Sequence, residues 1–268
     1  MHIHFLDPYQ EVSSPIHRTD PRVKLVLSLA FILTTALIPI GAWPIYILLV
    51  AIIFSAAILS SVGIIYVLKR AVLAFPFMLA ALPLVFTTPG LPFYSLNIGP
   101  WELTMTLAGV TRFISIALKS WISVQAAILL TATTPFPDLL VAMRAVRVPR
   151  LIVAIFGLMW RYLFVLADEA LRLIRARAAR SGDSGITGFN SGGSFTWRAQ
   201  TAGGMAGNLF IRSLERSDRI YVAMLSRGYD GEVRTMPLPE MKVSNWIVLI
   251  VGGMILSLLV IFSYLVVG

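Results

Sequence analysis

Long uncharged runs, rather than alternating positions, dominate the hydrophobic pattern. From Leu25 to Leu68 no charged residue occurs, which is enough chain for two helices of about 20 residues each, and only Pro39-Ile40-Gly41-Ala42-Trp43-Pro44 interrupts it. The pattern predicts a helical hairpin with a tight turn. Lys69-Arg70 then reads as a loop. Ala71 to Trp101 is again free of charge and holds a third span to about Thr88, followed by a loop with Pro89, Gly90, Pro92, Gly99 and Pro100. A fourth span lies within Leu103–Thr133. Ser244–Gly268 is uncharged throughout, with Trp246 and Tyr264 placed as interfacial aromatics, and is the clearest span in the chain. Leu151–Ala167 is just long enough to cross a bilayer but carries Arg161 in its second half.

The polar residues that punctuate these runs have their own logic. Asp20-Pro21-Arg22 suits a helix start, because Asp caps orphan N–H groups and Pro is tolerated at the first helical position. Within the fourth span Arg112, Ser115 and Lys119 share one helical face. Intramembrane cations are functional suspects, yet long cationic side chains also snorkel or pack against a neighbour, and packing is the reading preferred here.

Between the fourth and last spans the period changes to that of amphipathic helices. A helix from about Arg150 to Arg180 places Asp168 and Arg172 in favourable i,i+4 order, with Leu163, Leu166, Ala170, Leu173 and Ile174 as its apolar stripe. Ser181–Gly193 is rich in Gly, Ser and Asp and reads as a linker. A second helix, roughly Thr201–Arg227, carries Phe210, Leu214, Ser217, Tyr221 and Met224 on one line. The two helices end alike, in Ala179-Arg180-Ser181 followed by Gly182 and in Ser226-Arg227-Gly228. Arginine before a terminal glycine suits helix capping, and it also suits docking into a partner; residue chemistry alone leaves both open.

Composition narrows the class. Of 268 residues 57% are hydrophobic and 13% charged, about half the charge of an ordinary soluble domain, so a soluble enzyme is excluded. The net charge of +9 is explained by location. Residues 168–243 hold eleven of the 22 Lys and Arg, whereas the turns at 39–44 and 89–101 have none. The positive-inside bias therefore puts the amino terminus, residues 69–70 and residues 168–243 in the cytoplasm, with Leu151–Ala167 as a cytoplasmic or interface-lying helix. The result is five spans with the carboxyl terminus outside. No signal peptide is expected, since the first 22 residues lack an apolar core. Eight acidic residues share 168–243 with the eleven basic ones, which argues against nucleic acid.

Catalytic and metal signatures are weak. There is no cysteine, and the three histidines, His2, His4 and His17, all precede residue 18 and read as surface residues rather than a metal site. Lys24, Lys69, Lys119 and Lys242 follow Val, Leu, Leu and Met, so no Walker A lysine is present. Gly182-Asp183-Ser184-Gly185 imitates a serine-hydrolase string but lies in a polar linker with no histidine after it. No enzyme activity, cofactor or metal site is expected of this chain.

Ser14-Pro15-Ile16-His17-Arg18-Thr19-Asp20-Pro21-Arg22-Val23-Lys24-Leu25 resembles the S-x-L-H-x-L-D-P-R-x-K-L opening of T components of energy-coupling factor (ECF) transporters, departing from it at Ile16 and Thr19. Val146-Arg147-Val148-Pro149, Trp160-Arg161-Tyr162 and Ala223-Met224-Leu225-Ser226-Arg227-Gly228-Tyr229-Asp230-Gly231 resemble the same family in its cobalt-transport CbiQ-type branch. The resemblance covers essentially the whole chain. It implies a membrane scaffold that joins a substrate-binding S component to two cytoplasmic ABC-type ATPases, with coupling-helix arginines docking in ATPase grooves. Carried over by motif, the coupling residues are Ala179, Arg180 and Ser181, and Ser226, Arg227 and Gly228. Ser181 stands where the family usually has Gly, and Ser226 where it often has Ala.

The sequence thus predicts an all-α polytopic protein of the inner (plasma) membrane. Residues 1–133 form the amino-terminal segment and four spans, 134–243 the cytoplasmic coupling region and 244–268 the last span. The expected partners are two ATPases, an S component, a small accessory membrane subunit and the lipid bilayer. Cobalt is the expected cargo; nickel, biotin or another vitamin is the alternative. An ATP-independent secondary transporter or channel is the rival class, but it calls for paired acids and bases within spans, and no Asp or Glu falls in any of them.

Overall fold

The computed structural model describes residues 9–90, 92–98, 101–180, 194–230 and 240–267, with side chains described outside 92–104 and 266–267. The chain forms two compact units, Met1–Val146 with Leu238–Gly268, and Arg147–Pro237.

The first unit begins with α1 (Pro21–Leu37). Asp20 caps it as the sequence predicts, its carboxylate accepting from the Arg22 amide at 2.9 Å. The hairpin turn follows, with Gly41 at φ +88°, a left-handed conformation that favours glycine, and then α2 (Trp43–Leu59). The third span is a broken helix: α3 (Ile64–Ala71), a 3-10 turn at Val72–Ala74, α4 (Phe75–Ala80) and α5 (Leu84–Thr87). Pro76 in the first turn of α4 and Pro83 at the start of α5 supply no backbone N–H, which accounts for the breaks. Lys69 and Arg70 are not in a loop. Gly63, at φ +88°, turns the chain early enough for α3 to start at Ile64, so both cations fall in its last turn, exposed, with Arg70 4.8 Å from the centre of the Tyr66 ring.

The predicted 89–101 loop is largely a hairpin. β1 (Pro92–Ile98) pairs antiparallel with β2 (Trp101–Thr106) in the register Asn97↔Glu102 and Ser95↔Thr104. Strand pairing satisfies backbone groups that an irregular segment leaves unpaired, and Phe, Tyr, Trp and Thr favour it. The fourth span is α6 (Leu107–Thr133), capped by the Thr106 hydroxyl on the Gly109 amide at 3.1 Å. Gly109 permits a close approach: a Cβ there would lie 2.5 Å from the Val85 carbonyl oxygen. A short helix absent from the sequence reading, α7 (Phe136–Ala145), then packs against α1. Its signals were the prolines at 135 and 137 and Asp138 in the first turn. The last helix, α10 (Val243–Val267), also lies along α1.

The buried centre of this unit is Phe31, Ile38, Ile45, Tyr46, Leu49, Ile53, Ile122, Ala126 and Leu256, drawn from α1, α2, α6 and α10. Leu33, Ile47, Ile65, Leu73, Ile250 and Ile261 face outward. Such an apolar exterior fits lipid, not water.

The second unit holds α8 (Arg150–Arg180) and α9 (Phe195–Leu225), each about 46 Å long at 1.5 Å per residue. The α9 start is six residues earlier than predicted because Ser194 caps it, accepting from the Trp197 amide at 3.3 Å. Neither helix has a buried residue. The segment 181–193, with the linker and the Gly182–Gly185 string, lies outside the described residues.

By length and composition four helical stretches suffice to cross a membrane: Ile64–Thr87, Leu107–Thr133, Arg150–Arg180 and Val243–Leu265, with Trp43–Leu59 as a shorter apolar helix. The molecule is an all-α polytopic membrane protein carrying one small β-hairpin. Helix α8 qualifies on length, a point the sequence reading decided on charge alone.

Candidate functional site

Of the two cations in the fourth span, Lys119 takes the packing role preferred from the sequence. Lys119 of α6 extends its ammonium group to the carbonyl oxygens of Ala36, at 3.1 Å, and of Ile38. These are orphan acceptors at the carboxyl end of α1, which in an apolar medium need a donor. At the opposite end of the same antiparallel pair, Lys24 of α1 donates to the Thr133 carbonyl at 2.9 Å, capping α6 in return. Tyr264 of α10 donates to the Leu37 carbonyl at 3.3 Å, Tyr46 to that of Pro39 at 3.0 Å, and Ser115 accepts from the Gly41 amide at 3.2 Å. Ser115 and Lys119 thus share the predicted face and serve the turn after α1. Arg112 is exposed.

The opening motif acquires a physical role by the same geometry. His17 Nδ1 lies 2.7 Å from the Ser14 hydroxyl and Nε2 3.1 Å from the Gln10 carbonyl, while the Gln10 amide donates to Ala132 at 3.1 Å. Ser14, His17, Asp20 and Lys24 therefore tie the segment before α1 to the end of α6. Burial is the first cause holding the His17 imidazole below its usual pKa, and the charge of Lys24 acts in the same sense. Among the described residues no group of three His, Asp or Glu side chains is placed to hold a metal; His2 and His4 lie outside them.

In the second unit the predicted coupling residues sit on exposed helix ends. Ala179 and Arg180 close α8, and both are exposed. Ser226 is the cap of α9, its hydroxyl bonded back to Val222 at 3.0 Å, and Gly228 takes φ +79°, the left-handed geometry expected of a terminating glycine. Ser226, Arg227 and Gly228 are all exposed. Ser181 lies outside the described residues.

The helices run in opposite senses. Arg177 of α8 stands 5.8 Å from the Trp197 ring near the start of α9; Glu169 meets Arg212 and Arg216; Tyr162 shares a cleft with Ile220 further along α9. The structure does not bring Arg180 and Arg227 together. It sets them at opposite ends of the helix pair. Where the helices meet, Glu169 Oε1 accepts from Arg212 at 3.1 Å and Oε2 from Arg216 at 2.9 Å, one carboxylate bridging two guanidinium groups. A cleft of about 580 Å³ lined by Tyr162, Asp168, Glu169, Arg172 and Arg216 opens beside it. From the sequence Arg212 and Arg216 lie off the apolar line of the second helix, but their pairing with Glu169 is not foreseen. The usable signal was an acid flanked by apolar stripe residues on one helix and two arginines one turn apart on the other.

The family model described as cobalt transport protein, CbiQ, matches residues 12–237. The chain belongs to the CbiQ family. It is 30% identical over 186 residues to the cobalt transport protein CbiQ of Rhodobacter capsulatus, covering 68% of this chain and 72% of that one. The energy-coupling factor transporter transmembrane protein EcfT of Ruminiclostridium cellulolyticum is 26% identical over 253 residues, covering 91% and 90%. An uncharacterized protein of Methanocaldococcus jannaschii is 27% identical over 268 residues, covering 97% and 86%. The EcfT/CbiQ family comprises transmembrane transporter components, and the match extends through α8 and α9 to Pro237.

Proposed function

We propose that this protein is the T component of an ATP-driven ECF importer for cobalt. It joins a membrane-embedded S component to two cytoplasmic ATPases and transmits their movement. The observation that carries this reading is the placement of Arg180 and Arg227, exposed and each at the carboxyl end of its own helix, at opposite ends of an antiparallel pair. One asymmetric chain thereby presents two similar tips to two separate partners. Arginine suits such a tip because its planar fork pairs bidentately with a carboxylate. The chain itself carries no catalytic step; ATP closure by the partners moves the tips.

In the proposed topology 168–243 is cytoplasmic and the carboxyl terminus outside. Although α8 is long enough to cross a membrane, Asp168, Glu169, Arg172, Arg175, Arg177 and Arg180 crowd its second half. A crossing would also export half the basic residues, against the positive-inside bias. Cobalt is supported by the family and by the name of the Rhodobacter relative.

The test is ATPase capture with purified Arg180→Ala, Arg227→Ala and double variants in membranes. Each single variant is expected to weaken capture by about a hundredfold, the scale of losing one side of a buried charge pair, and the double variant to abolish capture and uptake together. Arg175→Ala, whose Nε is bonded within its own helix to Leu171 at 3.3 Å, is expected to behave like the parent. Full capture by the double variant would overturn the reading. Labelling of Ser191→Cys from outside intact cells would overturn the topology.

A further inference from the structure

Arg180 and Arg227 are separated along the chain by the same 47 residues that separate Glu169 from Arg216. Eleven residues lead from Glu169 to Arg180 and eleven from Arg216 to Arg227. At 1.5 Å per residue each arm is about 16 Å long, so the ion pair stands at the midpoint between the two tips. No residue of either helix is buried, and the Glu169 bridge is accompanied along the pair by the Arg177–Trp197 stacking and the edges of open clefts. We propose that Glu169 is the positioning residue of the coupling unit, an ionic pivot whose bridge to Arg212 and Arg216 fixes the splay of the two arginine tips. This rests on the T-component reading above.

The chemistry suits a pivot. Arg212 and Arg216 are one helical turn apart and repel one another unless an anion lies between them. Glu169 supplies that anion from the other helix, with one oxygen for each arginine. Its side chain is 20% exposed, that of Arg216 32% and that of Arg212 59%, so water can replace a bond of the bridge as it reorients. Apolar contact alone leaves helix crossing angles scattered by about 15–20°. Across a 16 Å arm that scatter moves a tip by about 4–6 Å, a distance that decides whether an arginine reaches its carboxylate. The bridge narrows the scatter while permitting rotation about it.

The test uses the full chain in lipid nanodiscs, spin-labelled at Ala176→Cys and Ala202→Cys. The labels are exposed and lie on the same side of the pivot, seven residues after Glu169 on α8 and fourteen before Arg216 on α9, so a change of crossing angle opens or closes the gap between them. Glu169→Gln and Glu169→Arg are expected to broaden or shift the label-to-label distance by about 2 Å, the opening that about 20° of rotation gives at these arm lengths, with Glu169→Arg the larger. The exchange Glu169→Arg with Arg216→Glu keeps one acid between two arginines and is expected to restore the parental distribution. In the assembled transporter Glu169→Arg should retain ATPase capture within a few-fold while cobalt taken up per ATP hydrolysed drops several-fold. An unchanged distance distribution in Glu169→Arg, or no restoration by the exchange, would overturn the pivot. Distances are read on the chain alone and ATPase capture on the Arg180 and Arg227 variants, so failure of the pivot and failure of the docking reading are separate results.

Discussion

The α1/α6 pair and the α8/α9 pair both run antiparallel, and each is held by long cationic side chains, but the partners of those cations differ in kind. In α1/α6, Lys24 and Lys119 bond to backbone carbonyls at the helix ends. Each cap has one geometry, because the acceptor is a backbone carbonyl fixed at a helix terminus. In α8/α9 the bond joins side chains that are both partly exposed, and water can replace it, so its strength is modest and its geometry adjustable. One pair is built not to move; the other is built to turn about a point. The proposed role, a scaffold that transmits movement, uses one of each.

The largest expected effect comes from removing a cap. Lys119→Met leaves the carbonyls of Ala36 and Ile38 without their donor, at a cost of roughly 1–3 kcal/mol for each group left unsatisfied. The midpoint of denaturant unfolding in micelles should drop accordingly. Arg212→Ala, in the adjustable pair, should barely move it. Equal losses would dissolve the distinction between the two pairs.

A second variant probes rigidity by overpacking. In Gly109→Ala the new methyl would meet the Val85 carbonyl at 2.5 Å and the Leu84 carbonyl at 3.0 Å, and backbone cannot swing aside as a side chain can. A loss of roughly 1–3 kcal/mol is expected by the same unfolding measurement. Gly203→Ala on α9, where nothing lies within 4 Å of the added atom, should be neutral or stabilising, since alanine favours helix. A tolerated Gly109→Ala would show that α5 and α6 yield at this close approach.

Which parts were legible in the sequence follows from how local their causes are. The Asp20 cap, the 39–44 turn, the α8 limits and the left-handed Gly228 depend on a few neighbouring residues, and the composition pattern alone indicated them. The reciprocal lysine caps pair residues 109 and more than 80 positions apart, and nothing in the neighbourhood of Lys119 distinguishes a cap from a pathway residue. Glu169 was hidden for the same reason: its two arginines lie on another helix. The broken third span was misread because absence of charge marks where a span can lie but not where its helix starts; Gly63 settled that. Helix α7 was lost between strong signals, its proline-rich start reading as a continuation of a loop.

The smallest effect is a pH dependence confined to the fixed unit. With Nδ1 accepting from Ser14 and Nε2–H donating to Gln10, His17 is served on both sides by the neutral ring; this tautomer is the one the hydrogen-bond network requires. Burial and Lys24 both lower its pKa from the usual 6.5, the bond to Gln10 only partly opposing them. The unfolded segment therefore binds a proton more readily than the folded one. Stability contributed by the neutral ring is fully present above about pH 6.5 and declines as the pH falls below it, the sense in which stability rises with pH wherever the unfolded state holds more protons. The amide of Gln10, bonded to the Ala132 carbonyl at 3.1 Å, reports the event. Its hydrogen exchange in nanodiscs, corrected for intrinsic rates, should be faster at pH 5.5 than at pH 7.5. His17→Ala should exchange fast at both values and lose the step. Label distances across α8/α9 in the same samples should not follow this titration, because the histidine belongs to the other unit. An unprotonated ring is thus part of what keeps the scaffold fixed, and a parental protein whose Gln10 amide exchanges equally at both pH values would show that the knot before α1 does not depend on it.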